Sequence, residues 1–138
     1  MSDVEGIKKA VGTGYRKHIS EYSNELISIP YNQKVLEKVT HFTDELIAVC
    51  PVTGLPDFYE CTIEHVPGNL LVELKSLKFY LMSYRDVGIL HEDLAAKIMR
   101  DIQAAIEPLW IQVTLEAAVR GGIGTKVVVN SGKYPLIE

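Results

Sequence analysis

The chain has 138 residues, of which 47% are hydrophobic and 23% charged, and its formal net charge is -4. This length allows one domain with a substantial core and leaves no room for a separate nucleotide-binding domain. The acidic balance argues against a surface built mainly to hold nucleic-acid backbone, and no apolar run approaches the roughly 20 residues of a membrane-spanning helix. Because the amino terminus carries acids where a secretory signal would be basic, we expect a cytoplasmic protein with a small-molecule partner.

The cysteines and histidines are too few and too scattered to predict a cross-linked or metal-bound scaffold. Cys50 and Cys61 are expected to stay reduced, since disulfides are rare in cytosolic chains. A structural zinc site takes four Cys or His ligands at close spacing. The four histidines lie far apart in the sequence, so we expect no metal: His18, His41, His65 and His91.

The first part of the chain predicts an arm followed by strands. Residues 1–34 show no sustained hydrophobic period and are assigned to an N-terminal arm, and residues 35–138 to a single domain. Apolar and β-branched residues predict strand from Val35 to Thr40 and again from Leu46 to Val49. Phe58 to Val66 alternates between apolar and polar positions, which is typical of a half-buried strand.

Two helices are predicted in the middle of the chain and two strands near its end. The first helix begins near Ser76, where apolar residues recur at helical spacing. The second begins at His91 and ends at Pro108. Strands follow over Trp110–Val119 and Thr125–Val129. The glycines between these strands do not open a helix, so they predict a β-turn and not a dinucleotide-binding fingerprint.

This order of elements, β-β-α-α-β-β, predicts an α+β fold. Four strands form an antiparallel sheet, and the two helices cover one of its faces. Such a sheet leaves two open edges, which need to be covered or paired. Edge-to-edge assembly of subunits into a β-barrel would pair them. We therefore expect a homo-oligomer with sites shared between subunits.

The turn after the Leu46–Val49 strand carries the first candidate for chemistry. Cys50 stands at a strand end beside Pro51, so its sulfur is expected at the end of the sheet. A thiolate there can attack an electrophilic carbon if a nearby acid or base moves protons. Asp57 is a candidate for that acid if the turn folds back. The alternative is that Cys50 is a small apolar residue at a strand end, and Cys61 is expected in the core.

Polar residues at the two helix starts are candidates for binding. His91 and Glu92 stand where a carboxylate can accept hydrogen bonds from the amide and amine groups of a ligand, although a helix cap or a solvated pair is the alternative. Lys75, Ser76 and Lys78 provide the cations and the hydroxyl that suit phosphate groups. A solvated helix face is the other interpretation of this second pattern.

Taken together, these segments resemble one known family. They are similar to the nitrile reductases of queuosine biosynthesis, which are NADPH-dependent 7-cyano-7-deazaguanine reductases of the tunnelling-fold superfamily. The segment over residues 72–80 fits the reductase signature of that family, and the short chain fits its single-domain branch. The resemblance covers residues 45–123 and rests on the segments Cys50 to Phe58, Val72 to Tyr80, Ser83 to Arg85, His91 to Asp93 and Arg120 to Ile123.

The resemblance implies a tunnelling fold and a covalent mechanism. Cys50 would attack the nitrile carbon to give a thioimide, and Asp57 would pass a proton to the nitrogen. Two NADPH molecules would then reduce the thioimide to the aminomethyl product. The implied substrate-binding residues are Val72, Glu73, Leu74, His91 and Glu92, and the implied NADPH-binding residues are Lys75, Ser76 and Lys78.

Two other functions remain open. An archaeal relative forms the same thioimide on a deazaguanine already in tRNA and adds ammonia to make archaeosine, but it lacks the reductase signature, and the negative charge of this chain suits tRNA poorly. A non-catalytic binding protein or a pterin-type enzyme of the same superfamily is the other alternative. The binding protein leaves Cys50 and Asp57 unexplained, and the pterin enzymes need zinc ligands at spacings absent here.

Overall fold

The computed structural model describes residues 23–135, and the part of the predicted arm before residue 23 lies outside them. Within the described residues, no helix combines the length and apolar composition needed to cross a membrane. The elements in chain order are β1 (Ser28–Pro30), β2 (Val39–Val49), β3 (Pro56–Val66), β4 (Leu70–Val72), α1 (Leu74–Met82), a 3-10 turn (Ser83–Asp86), α2 (His91–Ile106), β5 (Trp110–Arg120) and β6 (Ile123–Asn130).

The main sheet has four antiparallel strands in the order β2-β3-β5-β6. The α2 helix packs on β5 and β6, while the 3-10 turn that follows α1 packs on β2. The predicted α+β fold, a four-stranded antiparallel sheet with two helices, is confirmed. The short strands β1 and β4 form a separate antiparallel pair that the sequence did not predict, because three-residue strands are too short to show a period.

β2 is one strand of 11 residues and not two segments. It begins at Val39, so the predicted start at Val35 was wrong, as was the predicted break between Thr40 and Leu46. The register shifts between Thr43 and Leu46, where three steps along β2 match two steps along β3. This β-bulge moves the core-facing positions from odd to even residue numbers. A search for strict alternation therefore finds two strands where the chain has one.

β3 confirms the predicted alternation and extends it toward the Cys50 turn. The strand starts at Pro56, two residues before the predicted start at Phe58, and its odd-numbered side chains face the helices. Cys61 is 1% exposed within this face, and burial raises the pKa of its thiol to about 12. The prediction that Cys61 belongs to the core is thus confirmed, and both cysteines are free.

Both helices begin at residues that the site uses. The α1 helix begins at Leu74, and not near Ser76 as predicted, because the carboxylate of Glu73 caps the helix just before Leu74. The α2 helix runs from His91 to Ile106 as predicted and ends before Pro108. Its apolar stripe is fully buried and forms the centre of the core, through Leu94, Ile98, Ile102 and Ile106.

The last hairpin turns at two glycines. Gly121 and Gly122 have φ angles of 57° and 79°, which a residue with a side chain adopts only with strain. Two consecutive positive φ angles are typical of the tight turns that join twisted antiparallel strands. The turn lets β5 continue to Arg120 and β6 begin at Ile123, two residues before the predicted start at Thr125.

Candidate active site

Cys50 lies on a closed turn that joins β2 to β3. Its N–H donates to the carbonyl of Leu55 at 2.8 Å, and its carbonyl accepts from the N–H of Gly54 at 2.8 Å. Gly54 has a φ of 75°, which explains why glycine is needed at this position. Because the turn begins one residue after the β2–β3 ladder ends, the half-buried thiol sits at the end of the sheet as predicted.

The turn activates the Cys50 thiol. Its pKa is lowered, first by a hydrogen bond from the Thr53 side chain and then by the N–H groups of Thr53 and Val52, while the charge of Asp57 acts in the opposite direction. A lower pKa means a larger thiolate fraction near neutral pH. Burial leaves Cys61 inert, so the two thiols of the chain differ strongly in reactivity.

Asp57 faces the same side of the sheet as the core residues of β3. It pairs with Ala48 across the ladder and is 6% exposed. One carboxylate oxygen lies 3.7 Å from Nε2 of His91, and the other lies 3.7 Å from Nε of Arg120. The turn folds back as the prediction required, and strand alternation directs Asp57 toward the core side of the sheet.

A short parallel bridge brings the start of α2 to the Cys50 turn. The N–H of Val49 donates to the carbonyl of Val87 at 2.9 Å, and the N–H of Ile89 donates to the carbonyl of Val49 at 3.1 Å. The last residue of β2 is therefore tied to the segment just before His91. This tie, which has no period for a sequence search to detect, puts His91 beside Asp57.

Two residues of this cluster were not singled out from the sequence. Tyr59 lies two residues after Asp57, and its ring meets the His91 imidazole edge-on with centroids 5.3 Å apart. Arg120 closes the cluster from β5, where its guanidinium donates to the carbonyl of Pro56. Strand alternation indicates the position of Tyr59, and antiparallel pairing of β5 with β3 indicates that of Arg120.

Glu92 is an exposed residue in the first turn of α2, next to His91. Burial raises the pKa of Tyr59, and the charges of Asp57, Cys50 and Glu92 raise it further. These four side chains therefore share one electrostatic environment. An exposed carboxylate at this place can accept hydrogen bonds from the N–H groups of a ligand.

Glu73 and Ser76 mainly hold the chain together at the start of α1. A carboxylate oxygen of Glu73 accepts from the N–H of Ser76 at 2.6 Å, and the Ser76 hydroxyl donates to the Glu73 carbonyl at 2.7 Å. That hydroxyl also accepts from the N–H of Ile27 at 3.0 Å, and Ser76 is 5% exposed. The structure thus gives Ser76 a capping and tethering role and leaves little of its hydroxyl for a phosphate.

A cleft between β2 and α1 is lined by some of the remaining residues of the segment from Val72 to Lys78. The cleft has a volume of about 490 Å³, with Lys78 and Arg85 among its lining residues and Cys61 and Ile63 at its apolar wall. Leu74 also lines it, whereas the side chain of Val72 is buried and that of Lys75 is exposed over the ring of Phe79.

The structure therefore assembles one half of the predicted site. Cys50, Asp57, His91 and Glu92 meet at one end of the sheet. Within residues 23–135, no hydrogen bond, ion pair or ring contact joins them to the segment from Val72 to Lys78. The first group offers an activated thiol beside a carboxyl group, which suits addition to an electrophilic carbon with proton transfer.

The chain is similar in sequence to known proteins. The sequence model of the family described as QueF-like protein matches residues 56–135. An NADPH-dependent 7-cyano-7-deazaguanine reductase of Caldicellulosiruptor bescii is 46% identical over 121 residues, which are 87% of this chain and 90% of that protein. A protein of the same name from Anaeromyxobacter sp. (strain Fw109-5) is 50% identical over 91 residues, which are 66% of this chain and 75% of that protein.

Among solved structures, the fold is similar to the crystal structure of the archaeosine synthase QueF-Like in the apo form. The TM-score is 0.64 at 28% sequence identity, and the match covers 75% of this chain and 100% of that chain. The match supports the arrangement of sheet and helices described above.

Proposed function

We propose that this chain, which belongs to the QueF family of NADPH-dependent 7-cyano-7-deazaguanine reductases, reduces the nitrile of 7-cyano-7-deazaguanine. The reaction passes through a covalent thioimide on Cys50. The enzyme is an NADPH-dependent oxidoreductase of queuosine biosynthesis. The observation that carries the covalent step is the pairing of an activated thiol, Cys50, with a buried carboxyl group, Asp57, at the same end of the sheet.

In the first step, the Cys50 sulfur attacks the nitrile carbon. A sulfur–carbon bond forms, one π bond of the nitrile breaks, and its electron pair moves to nitrogen. Asp57 takes the proton of the thiol and passes it to that nitrogen, so the S–H group adds across the triple bond. His91 and Arg120, one at each carboxylate oxygen, hold Asp57 in place for this transfer.

The ring of the substrate is held by carboxylates. Glu92 is exposed beside the nucleophile and can accept from the ring N–H groups. A base without matching N–H groups leaves such an acceptor unpaired, which gives selectivity. Glu73, with one oxygen engaged in capping, has its second oxygen for a ring N–H, and Val72 and Leu74 flank it.

We further propose that Glu73 comes to the site from a neighbouring subunit. It lies on a different part of the chain from the Cys50 cluster, and within residues 23–135 both edges of the main sheet, β2 and β6, lack a pairing strand. Exposed apolar side chains accompany these edges, including Phe42 on β2 and Val128 on β6. Pairing such edges into a β-barrel covers both the unpaired backbone groups of the edge strands and the exposed apolar side chains. The predicted homo-oligomer with shared sites is consistent with this arrangement.

The exposed lysines of α1, of which Lys78 lines the cleft, fit the anionic groups of NADPH. Lys75 and Lys78 are exposed cations on the first turns of α1, and phosphate groups bind cations at such positions. Bound NADPH supplies the hydrides, two equivalents for each nitrile. Ser76 instead binds Glu73 and Ile27 at the start of α1, which is a different role from the phosphate contact implied by the resemblance.

The stoichiometry of the reaction tests the proposed function. We expect the purified protein, mixed with 7-cyano-7-deazaguanine and NADPH, to oxidise two NADPH per nitrile and to form an adduct on Cys50 when NADPH is omitted. Absorbance at the nicotinamide band and intact mass spectrometry measure the two quantities. NADPH oxidation without any adduct in the reductant-free sample would contradict the covalent route.

The structural likeness to an archaeosine synthase gives a second candidate. That reaction also passes through a thioimide, so the same assay separates the two. An adduct that forms without any NADPH oxidation, and that ammonia converts to an amidine, would favour the second candidate. The reductase is favoured because the curated relatives that match over most of the chain are reductases.

Two substitutions separate the roles of Lys78 and Ser76. We expect Lys78→Ala to raise the KM for NADPH about tenfold, since a lost charge-assisted contact is worth about 1.5 kcal/mol, and to leave adduct formation unchanged. Ser76→Ala should instead lower the free energy of unfolding by roughly 1 kcal/mol, because the hydroxyl's hydrogen bonds to the Glu73 carbonyl and to the Ile27 N–H are lost. Steady-state kinetics and thermal unfolding measure both.

Lys97, which pairs with Asp101 on α2, provides a matched control. Lys97→Ala removes a lysine of α2 that does not line the cleft and should leave the KM for NADPH unchanged. Equal KM values for the Lys78→Ala and Lys97→Ala proteins would show that Lys78 does not contact the cofactor.

A further inference from the structure

The hydroxyl of Tyr59 is a buried polar group without a partner. Tyr59 is 2% exposed, and within residues 23–135 its oxygen makes no hydrogen bond. Leaving a buried hydroxyl unpaired is unfavourable for folding, so such groups are rare and call for an explanation. Phenylalanine would fill the same place in the core without this penalty.

The position of Tyr59 relates it to the reaction. On a strand, residues two apart share a face, so Tyr59 and Asp57 project to the same side of β3. The ring of Tyr59 packs edge-on against the His91 imidazole. Asp57 and Cys50 are, in that order, the charged groups that most influence its hydroxyl, ahead of Glu92. Tyr59 therefore shares its surroundings with the proposed reacting groups Asp57 and Cys50.

The lack of a partner alone does not indicate a site. Both ring nitrogens of His65 are also buried and unpaired, and His65 lies near the end of β3 opposite to Asp57. Burial lowers the pKa of His65 to about 4, so it is a neutral core residue. Tyr59 differs because its ring contacts His91 and because it lies on the same face of β3 as Asp57.

We propose that the Tyr59 hydroxyl donates a hydrogen bond to the nitrile nitrogen of the substrate and to the thioimide nitrogen formed from it. This inference rests on the proposed function of Cys50. Burial and the nearby negative charges raise the pKa of Tyr59, so the phenol stays protonated and acts as a donor. It loses no proton in the step: the proton that reaches nitrogen comes from the Cys50 thiol by way of Asp57.

The hydrogen bond strengthens as the reaction proceeds. Negative charge builds up on the nitrogen while sulfur attacks the carbon, and a fixed donor aimed at developing charge stabilises the transition state more than the bound substrate. The His91 side chain that packs against Tyr59 is 28% exposed. This imidazole is therefore the partly exposed group that lies next to the buried ring of Tyr59.

Tyr59→Phe tests the inference, because it removes one oxygen and keeps the ring. We expect adduct formation with 7-cyano-7-deazaguanine, followed without NADPH by stopped-flow absorbance and intact mass, to slow about 100-fold. The melting temperature should stay equal to the wild-type value or rise, since an unpaired buried hydroxyl is gone. A slower reaction in an equally stable protein is the signature of a functional hydroxyl.

Tyr84→Phe is the matched control. The Tyr84 hydroxyl is buried and bonded to that of Tyr80 at 2.7 Å, so its removal should lower the melting temperature and leave the adduct rate unchanged. Adduct formation by Tyr59→Phe at the wild-type rate would overturn the inference and leave the Cys50 mechanism standing. A wild-type protein that forms no adduct would instead overturn the proposed function, and this inference with it.

Discussion

Cys50→Ala is expected to abolish adduct formation and to lower NADPH oxidation by about 10,000-fold or more, the scale seen when a catalytic nucleophile is removed. The thiol is the only group at the end of β2 that can form the sulfur–carbon bond, and its pKa is lowered by donors of the turn that alanine cannot use. Intact mass after incubation with the nitrile base measures the adduct, and nicotinamide absorbance measures turnover.

Cys61→Ala serves as the control for this prediction. It removes the same atoms from the core, where the thiol is 1% exposed, and should lower the free energy of unfolding by about 1 kcal/mol. We expect the adduct and its rate to be unchanged. Loss of the adduct in the Cys61→Ala protein, with retention in the Cys50→Ala protein, would show that Cys61 and not Cys50 is the nucleophile.

Asp57→Asn is expected to slow adduct formation by about 100- to 10,000-fold, the usual contribution of a general acid or base. The amide keeps the shape of the carboxyl group but cannot carry the proton from sulfur to nitrogen. A second readout has the opposite direction. Because the charge of Asp57 raises the pKa of Cys50, its removal should lower that pKa, and alkylation of Cys50 by iodoacetamide should reach its midpoint at a lower pH.

This pair of readouts separates proton transfer from general damage to the site. A protein that alkylates more readily yet forms the adduct more slowly has a reactive thiol and lacks a proton carrier. Asp101→Asn is the matched control, since Asp101 accepts from Tyr80 and Lys97 on the other side of the core. It should lower stability and leave both readouts unchanged. An unaltered adduct rate in Asp57→Asn would remove Asp57 from the mechanism.

The elements with a regular period could be predicted, and the irregular ones could not. The apolar stripe of α2, from Leu94 to Ile106, and the alternation of β3 are repeated patterns that report which face is buried. The bulge in β2 and the three-residue strands β1 and β4 are single events without a repeat. They depend on which backbone groups find partners across space.

The same division applies to the candidate site. Cys50 on its Pro- and Gly-bounded turn, and Asp57 shortly after it, could be singled out because their residue types carry the chemistry. Tyr59 and Arg120 were not singled out as site residues, because aromatic residues are common in strands and cations are common before turns. Ser76 was assigned to phosphate binding from its motif, yet its hydroxyl donates to the Glu73 carbonyl and accepts from the N–H of Ile27.

The sequence by itself determined the fold class and the family resemblance and singled out the candidate nucleophile, since hydrophobic periods and the chemistry of a thiol are local properties. Only the tertiary structure decided which residues surround that nucleophile. The bridge from Val49 to Val87 brings His91 to Asp57, and the β5–β6 turn brings Arg120 to the same carboxylate. These contacts join residues far apart in the chain through backbone hydrogen bonds and ion pairs, which leave no period in the sequence.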